Sequence, residues 1–231
     1  MRKFFFLAAA TIFTSAAPLT AHAQDLFSGE LELGISRNTT TGTFFKRVEG
    51  SFASDFDGKF DFQIDLGMSK YEAVNSTSPF LALHLLWQPS EKVDLGLFIS
   101  GEDRLGTSYT IEGLEMAYDT GPFRAEGYVA FQDPILAGPH GELAGLDLSY
   151  AFGSTDQWSL IGGGHYADLG ATTVDTVYLG LARRFGDDFE VEARVAQTDG
   201  TDTVITVGAR VALGRGARFN RRDWYAAFPS Y

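Results

Sequence analysis

Phe60-Asp61-Phe62-Gln63-Ile64-Asp65-Leu66-Gly67-Met68-Ser69 is the stretch on which the reading of this chain turns. Phe60, Phe62, Ile64, Leu66 and Met68 share one face, and Asp61, Gln63, Asp65, Gly67 and Ser69 share the other, which is the period of two of a half-buried strand. The same alternation sets Leu31, Leu33 and Ile35 against Glu30, Glu32 and Gly34, and Val93, Leu95, Leu97 and Ile99 against Asp94 and Gly96. It returns in Leu146, Leu148, Tyr150 and Phe152 opposite Asp147 and Ser149, and in Phe189, Val191, Ala193 and Val195 opposite Glu190, Glu192 and Arg194. The last example sets Ile205, Val207, Ala209, Val211 and Leu213 against Arg210. These segments match the roughly 9 to 11 residues with which a tilted strand crosses a bilayer.

Tight-turn residues stand at Asp55-Phe56-Asp57-Gly58, Pro89-Ser90-Glu91, Asp119-Thr120-Gly121-Pro122, Gly153-Ser154-Thr155-Asp156 and Gly186-Asp187-Asp188, where Gly, Pro, Asp and Ser supply the required geometry. Between them lie looser polar connections at residues 71–79, 101–107, 132–141 and 167–174, with two more at 37–43 and 198–203. Counting segments between the breaks predicts twelve strands. Aromatic residues crowd the tight turns: Phe60, Trp87, Tyr118, Phe123, Phe152, Trp158, Phe185 and Phe189. A soluble β-sandwich also alternates, but it keeps its large aromatics mid-strand in the core. Aromatics at strand ends, with short turns alternating with longer loops, are the pattern of a membrane barrel. The expected fold is therefore all-β: a closed antiparallel up-and-down transmembrane β-barrel of about twelve strands.

Arg2 and Lys3, the apolar run Phe4 to Phe13, and Ala21-His22-Ala23 compose a secretory signal peptide over residues 1–23, with cleavage expected before Gln24. The run breaks at Thr14, Ser15 and Pro18, short of the roughly 20 residues a membrane helix needs. Residues 24–213 are assigned to the barrel and 214–231 to a basic and aromatic tail. There is no cysteine, so stability is expected from sheet closure and burial rather than from disulfides. The net charge of −12 becomes −14 without Arg2 and Lys3, and the tail's four arginines and one aspartate leave a body near −17. Such a balance argues against nucleic acid, which needs a basic footprint.

Over residues 26–213 the chain resembles the Gram-negative outer-membrane β-barrel superfamily, in particular its small porin-like members; the likeness is architectural. It implies residence in the outer membrane, with lipid, lipopolysaccharide, the barrel-insertion machinery and small solutes as partners, and passive diffusion as the activity. Members commonly end on an aromatic-terminated last strand. Here Ile205 to Leu213 occupies that place, and 18 residues follow.

If the apolar faces look outward, Glu30, Glu32, Glu49, Asp61, Asp65, Asp94, Glu115, Glu126, Asp147, Glu190 and Glu192 point inward, with Arg47, Arg124, Arg184, Arg194 and Arg210 of matching parity. Acidic walls favour cationic or neutral solutes. Alternatively the charges pair across strands and hold the interior shut, giving a closed structural or adhesive barrel. Strand closure is expected to bring Arg210 beside Glu30 or Glu32. In the sixth strand Glu112 shares the outward face of Leu114 and Met116 unless Gly113 marks a bulge, and the bulge is the expectation because a lipid-facing carboxylate is costly. The tail arginines Arg215, Arg218, Arg221 and Arg222, with Trp224, Tyr225 and Phe228 as apolar anchors, are expected to fold back and cap or narrow the periplasmic mouth.

Signals for chemistry are weak. The mature part contains His84, His140 and His165. Ser149 or Ser159 could approach His165 as nucleophile and base, which keeps a lipid-acting barrel enzyme as a third alternative. No nucleophile elbow or histidine pair at metal spacing occurs, and neither enzyme activity, metal nor cofactor is expected. Gly162-Gly163-Gly164 lacks the lysine of a phosphate loop and reads as close strand packing or a bulge.

Overall fold

The computed structural model describes residues 27–55, 59–136, 138, 140–153, 157–214, 216–220, 222 and 224–228. The signal peptide and the tail positions Arg215 and Arg221 lie outside the described residues. Twelve strands follow one another: β1 (Phe27–Asn38), β2 (Phe44–Asp55), β3 (Phe60–Tyr71), β4 (Ser76–Ser90), β5 (Val93–Arg104) and β6 (Thr107–Asp119). They continue with β7 (Phe123–Pro134), β8 (Gly141–Phe152), β9 (Trp158–Asp168), β10 (Thr173–Phe185), β11 (Phe189–Thr198) and β12 (Asp202–Leu213). Each pairs antiparallel with its sequence neighbours, and β12 closes on β1 from Gly29 opposite Leu213 to Asn38 opposite Val204. The result is the closed barrel expected, with no free sheet edge.

The barrel is inside-out relative to a water-soluble core. Leu33, Leu85, Leu97, Leu114, Val129, Leu179 and Val207 are exposed on its outer face, Leu179 by 62 %, while Asp65, Gln63 and Ser51 are 0 % exposed on the inner one. All eight turn-flanking aromatics lie on the outward parity, and Phe185 and Phe189 meet at 5.9 Å between ring centroids.

Two local expectations are corrected. The β5–β6 ladder runs without a register shift from Val93 opposite Tyr118 to Arg104 opposite Thr107, so Gly113 makes no bulge and Glu112 does face outward. On β6 its outward neighbours are Thr110 and Ser108 toward the loops and Leu114 and Met116 toward the tight turns. Glu112 thus sits toward the polar margin of the apolar band, where an outward carboxylate costs little. The looser connections are also shorter than expected, because polar residues leave the apolar band while still pairing. Between β5 and β6 only Leu105 and Gly106 remain, both with positive φ (52° and 88°), the geometry of a type I′ hairpin. Gly162, Gly163 and Gly164 lie in an uninterrupted ladder and form no bulge.

After Leu213 the chain turns through Gly214 and Gly216, whose φ values of 67° and 74° suit glycine. It then enters the barrel and ends its described part in a four-residue helix α1 (Trp224–Ala227).

Candidate functional site

The inner wall is shaped by glycines. Gly34, Gly67, Gly96, Gly113, Gly145, Gly163 and Gly208 all take inward positions, and a long side chain from a neighbouring strand lies across each. A Cβ on Gly145 would stand 2.2 Å from Tyr128 and 2.4 Å from His165, and one on Gly113 would stand 2.8 Å from Phe98. One on Gly96 would stand 2.7 Å from Glu115. Side chains that would otherwise project to the axis are folded against the wall. Phe98, Tyr128, His165 and Tyr178 thereby form a ladder with centroid spacings of 6.3, 6.0 and 6.1 Å.

The inward charges mostly meet one another. Arg47 lies 2.6 Å from Glu32 and 3.2 Å from Glu49. Arg210 lies 3.8 Å from Glu30, 3.7 Å from Glu32 and 3.9 Å from Glu190, tying β12 to β1 and β11. Arg194 bonds Glu192, with Nε at 3.0 Å, and Arg124 lies 3.3 Å from Glu126. Asp94 and Arg184 also take inward positions, and neither forms an ion pair among the described residues. His84, on β4, stands between two carboxylates, Nδ1 2.7 Å from Glu115 and Nε2 3.0 Å from Asp65. In its doubly protonated form the ring donates to both.

The tail occupies the space that remains. Arg218 reaches Asp61 at 3.5 Å, and the Gln63 amide grips the adjoining main chain. Gln63 Oε1 accepts the N–H groups of Arg218 and Phe219 at 2.7 and 3.1 Å, and its Nε2 donates to the Phe219 carbonyl at 2.8 Å. Phe219 is buried with Leu86 and Ala117 and is stacked on His84. Asn220 donates its N–H to Glu126 at 2.7 Å. Arg222 then bridges Glu115 (2.9 Å) and Glu126 (2.5 Å) with its guanidinium over the Tyr128 ring at 4.6 Å. Ser100 donates to its carbonyl at 3.0 Å. Farther in, the Trp224 N–H donates to Glu102 at 2.8 Å, and Arg104 covers the Trp224 ring at 4.4 Å. Trp224, Ala227 and Phe228 pack among Phe45, Ile111, Leu143, Ala167 and Val174.

These contacts trace a crossing. Asp61, Leu86 and Ala117 border the tight-turn rim, whereas Phe45, Leu143, Ala167 and Val174 border the opposite one. The expectation placed the tail across the mouth; the structure places it through the lumen. Geometry explains the difference. Twelve-residue strands tilted by about 40° make a wall of about 30 Å, and eight residues of chain followed by one helical turn span about 32 Å at full stretch. Carboxylates left along that wall give the arginines partners at depth. Gln63, His84, Glu102, Arg104 and Phe219 were not singled out in the sequence as site residues, although the parity of β3 to β5 turns the first four inward.

Beside the tail a polar crevice of about 270 Å³ remains, lined among others by Glu32, Glu126, Asp147, Glu190, Glu192, Arg47, Arg124, Arg184, Arg194, Arg210 and Arg222. Ser149 and Ser159 line it too. His165, however, is engaged on both nitrogens, Nε2 3.2 Å from Asp147 and Nδ1 3.4 Å from the Tyr128 hydroxyl. The Tyr178 hydroxyl donates to the same Asp147 oxygen at 2.6 Å, so this cluster reads as a wall-bracing network. Asp133 and His140 stay exposed outside the lumen, paired with each other at 2.5 Å.

No family model and no curated protein matches the sequence. Solved structures with this fold include the KdgM porin, at a TM-score of 0.64 and 10% identity over 79% of this chain and 98% of that one. A structure of the KdgM porin in complex with disordered oligogalacturonate gives the same values. The NanC porin aligns at a TM-score of 0.65 and 6% identity, over 78% of this chain and 98% of that one. The architectural resemblance to porin-like outer-membrane barrels is thereby confirmed at the level of fold.

Proposed function

We propose that this protein, exported and cut before Gln24, is an outer-membrane porin-like channel for small cationic or neutral solutes, held narrow by its own C-terminal segment. The observation that carries the reading is the pairing of an apolar, aromatic-edged exterior with a charged interior in which a crevice persists beside Asn220, Arg222 and Ala227. The fold shared with the KdgM and NanC porins supports it. Carboxylates outnumber arginines on the strand walls, and the cation preference follows from that surplus. Single-channel recording of the full chain in planar bilayers tests the proposal. Small, stable conductance steps are expected, and a correctly inserted barrel that carries no current makes it the closed structural barrel instead.

A second reading, passage of anionic sugars, is favoured by the arginines of the crevice, Arg47, Arg124, Arg184, Arg194, Arg210 and Arg222. The KdgM structure with oligogalacturonate is its precedent in this fold. The sign of the reversal potential in a salt gradient separates the two. Because His165 is committed to Asp147 and Tyr128, the proposed activity is non-enzymatic; lipid turnover that is lost in His165→Ala would overturn this.

A further inference from the structure

We infer that the lumen wall is a recognition site for peptide segments bearing arginine and aromatic residues, with residues 216–228 as its resident ligand. The inference rests on the channel reading only for how such a peptide reaches the lumen.

Gln63, 0 % exposed, spends its amide on the main chain of residues 218 and 219, accepting two N–H groups and donating to one carbonyl. Those bonds recognise a main chain bent at residues 218 and 219, whatever its side chains. Three residues on, Glu115 and Glu126, with side chains 0 % and 2 % exposed, take separate nitrogens of one guanidinium while Tyr128 lies beneath it. A lysine cannot span that fork, because its ammonium is a point charge. On either side are aromatic seats, one formed by Leu86, Ala117 and His84 for Phe219, the other by Phe45, Ile111 and Leu143 among others for Trp224 and Phe228. Main-chain clamp, guanidinium fork and flanking aromatic pockets define a spacing, Phe-x-x-Arg-x-Trp. The carboxylates that meet Arg218, Asn220, Arg222 and Trp224 all belong to the wall. Departure of the tail would leave Glu115 and Glu126 to water and to the wall partners His84 and Arg124, so an arginine peptide of the same spacing finds both carboxylates of the fork available. Being tethered, the tail enjoys a high effective concentration, and a free peptide competes once the tether is cut.

The test uses the full chain with a protease recognition sequence inserted between Gly214 and Gly216, folded in detergent and then cut. A fluorescein-labelled peptide of residues 216–228 is titrated in and followed by anisotropy, with intact-mass analysis reporting whether the cut segment has left. Saturable binding is expected, weakened at least tenfold by Arg222→Lys or Phe219→Ala in the peptide. An unrelated peptide with the same spacing should compete and a scrambled one should not. A cut segment that stays bound, and leaves only before excess peptide of that spacing, supports the site equally. The double variant Glu115→Gln, Glu126→Gln should keep its folded gel mobility and lose binding. Equal binding of the scrambled peptide, or no binding to a folded barrel whose segment has gone, overturns the inference. Binding without any conductance leaves this site standing and removes the channel reading.

Discussion

Arg222→Ala should release the C-terminal segment from the lumen. The side chain is 2 % exposed and fills the gap between Glu115 at 2.9 Å and Glu126 at 2.5 Å. Removing one partner of a buried charge pair costs about 3–5 kcal/mol, chiefly because the remaining charge is left unpaired. Here both carboxylates keep other partners, Glu115 the His84 ring at 2.7 Å and Glu126 the Asn220 N–H at 2.7 Å with Arg124 at 3.3 Å. The lower end, about 3 kcal/mol, is therefore expected, a shift of about 150-fold toward the undocked segment. Planar-bilayer recordings read it as longer dwell in a larger conductance level than the unaltered protein shows. The triple variant Arg222→Met, Glu115→Gln, Glu126→Gln strands no charge and should restore the narrow level. Traces of Arg222→Ala that match the unaltered protein, or a triple variant as open as the single, would refute the reasoning.

Gly145→Ala drives a methyl into Tyr128 and His165. Overpacking of this kind costs about 1–3 kcal/mol and should lower the temperature at which the unboiled gel band converts to the unfolded one; Gly101→Ala, with nothing within 4 Å, should leave it unchanged. On the outer face of β10, Leu179→Arg should cost about 2–4 kcal/mol of folding into lipid vesicles and Thr173→Arg, at the strand end, about 0–1; equal effects would remove the membrane assignment. Arg184→Glu reverses a charge that lines the crevice and should move the reversal potential toward cations without changing folded gel mobility. Amino-terminal sequencing of the mature protein should begin at Gln24.

The strands were legible because a period of two needs no distant information: Phe60 to Ser69 declares its two faces from its own residues. Parity also turned the charges of β1, β2 and β11 inward, and closure brought Arg210 to Glu30 and Glu32. The route of the tail was not legible in the same way. Residues 214–228 show no periodicity, and their positions depend on partners such as Gln63, 155 residues from Arg218. Glu112 misled for a related reason. Its cost on the outer face depends on height in the apolar band, and height is set by barrel tilt rather than by neighbours in sequence. The inward glycines were visible as single residues. What each makes room for comes from the adjacent strand.

The filling segment follows the seam strand directly, and this imposes an order on assembly. Leu213 ends β12, the strand that pairs with β1, and Arg218, five residues on, already stands inside. A cylinder cannot be stoppered before its last stave is set. The wall carboxylates are therefore expected to pass through a hydrated interval between closure and filling, in an intermediate that is complete in its sheet and wet in its interior. Refolding followed by tryptophan fluorescence should show the environment of Trp224 settling after the gel mobility of the folded barrel is reached.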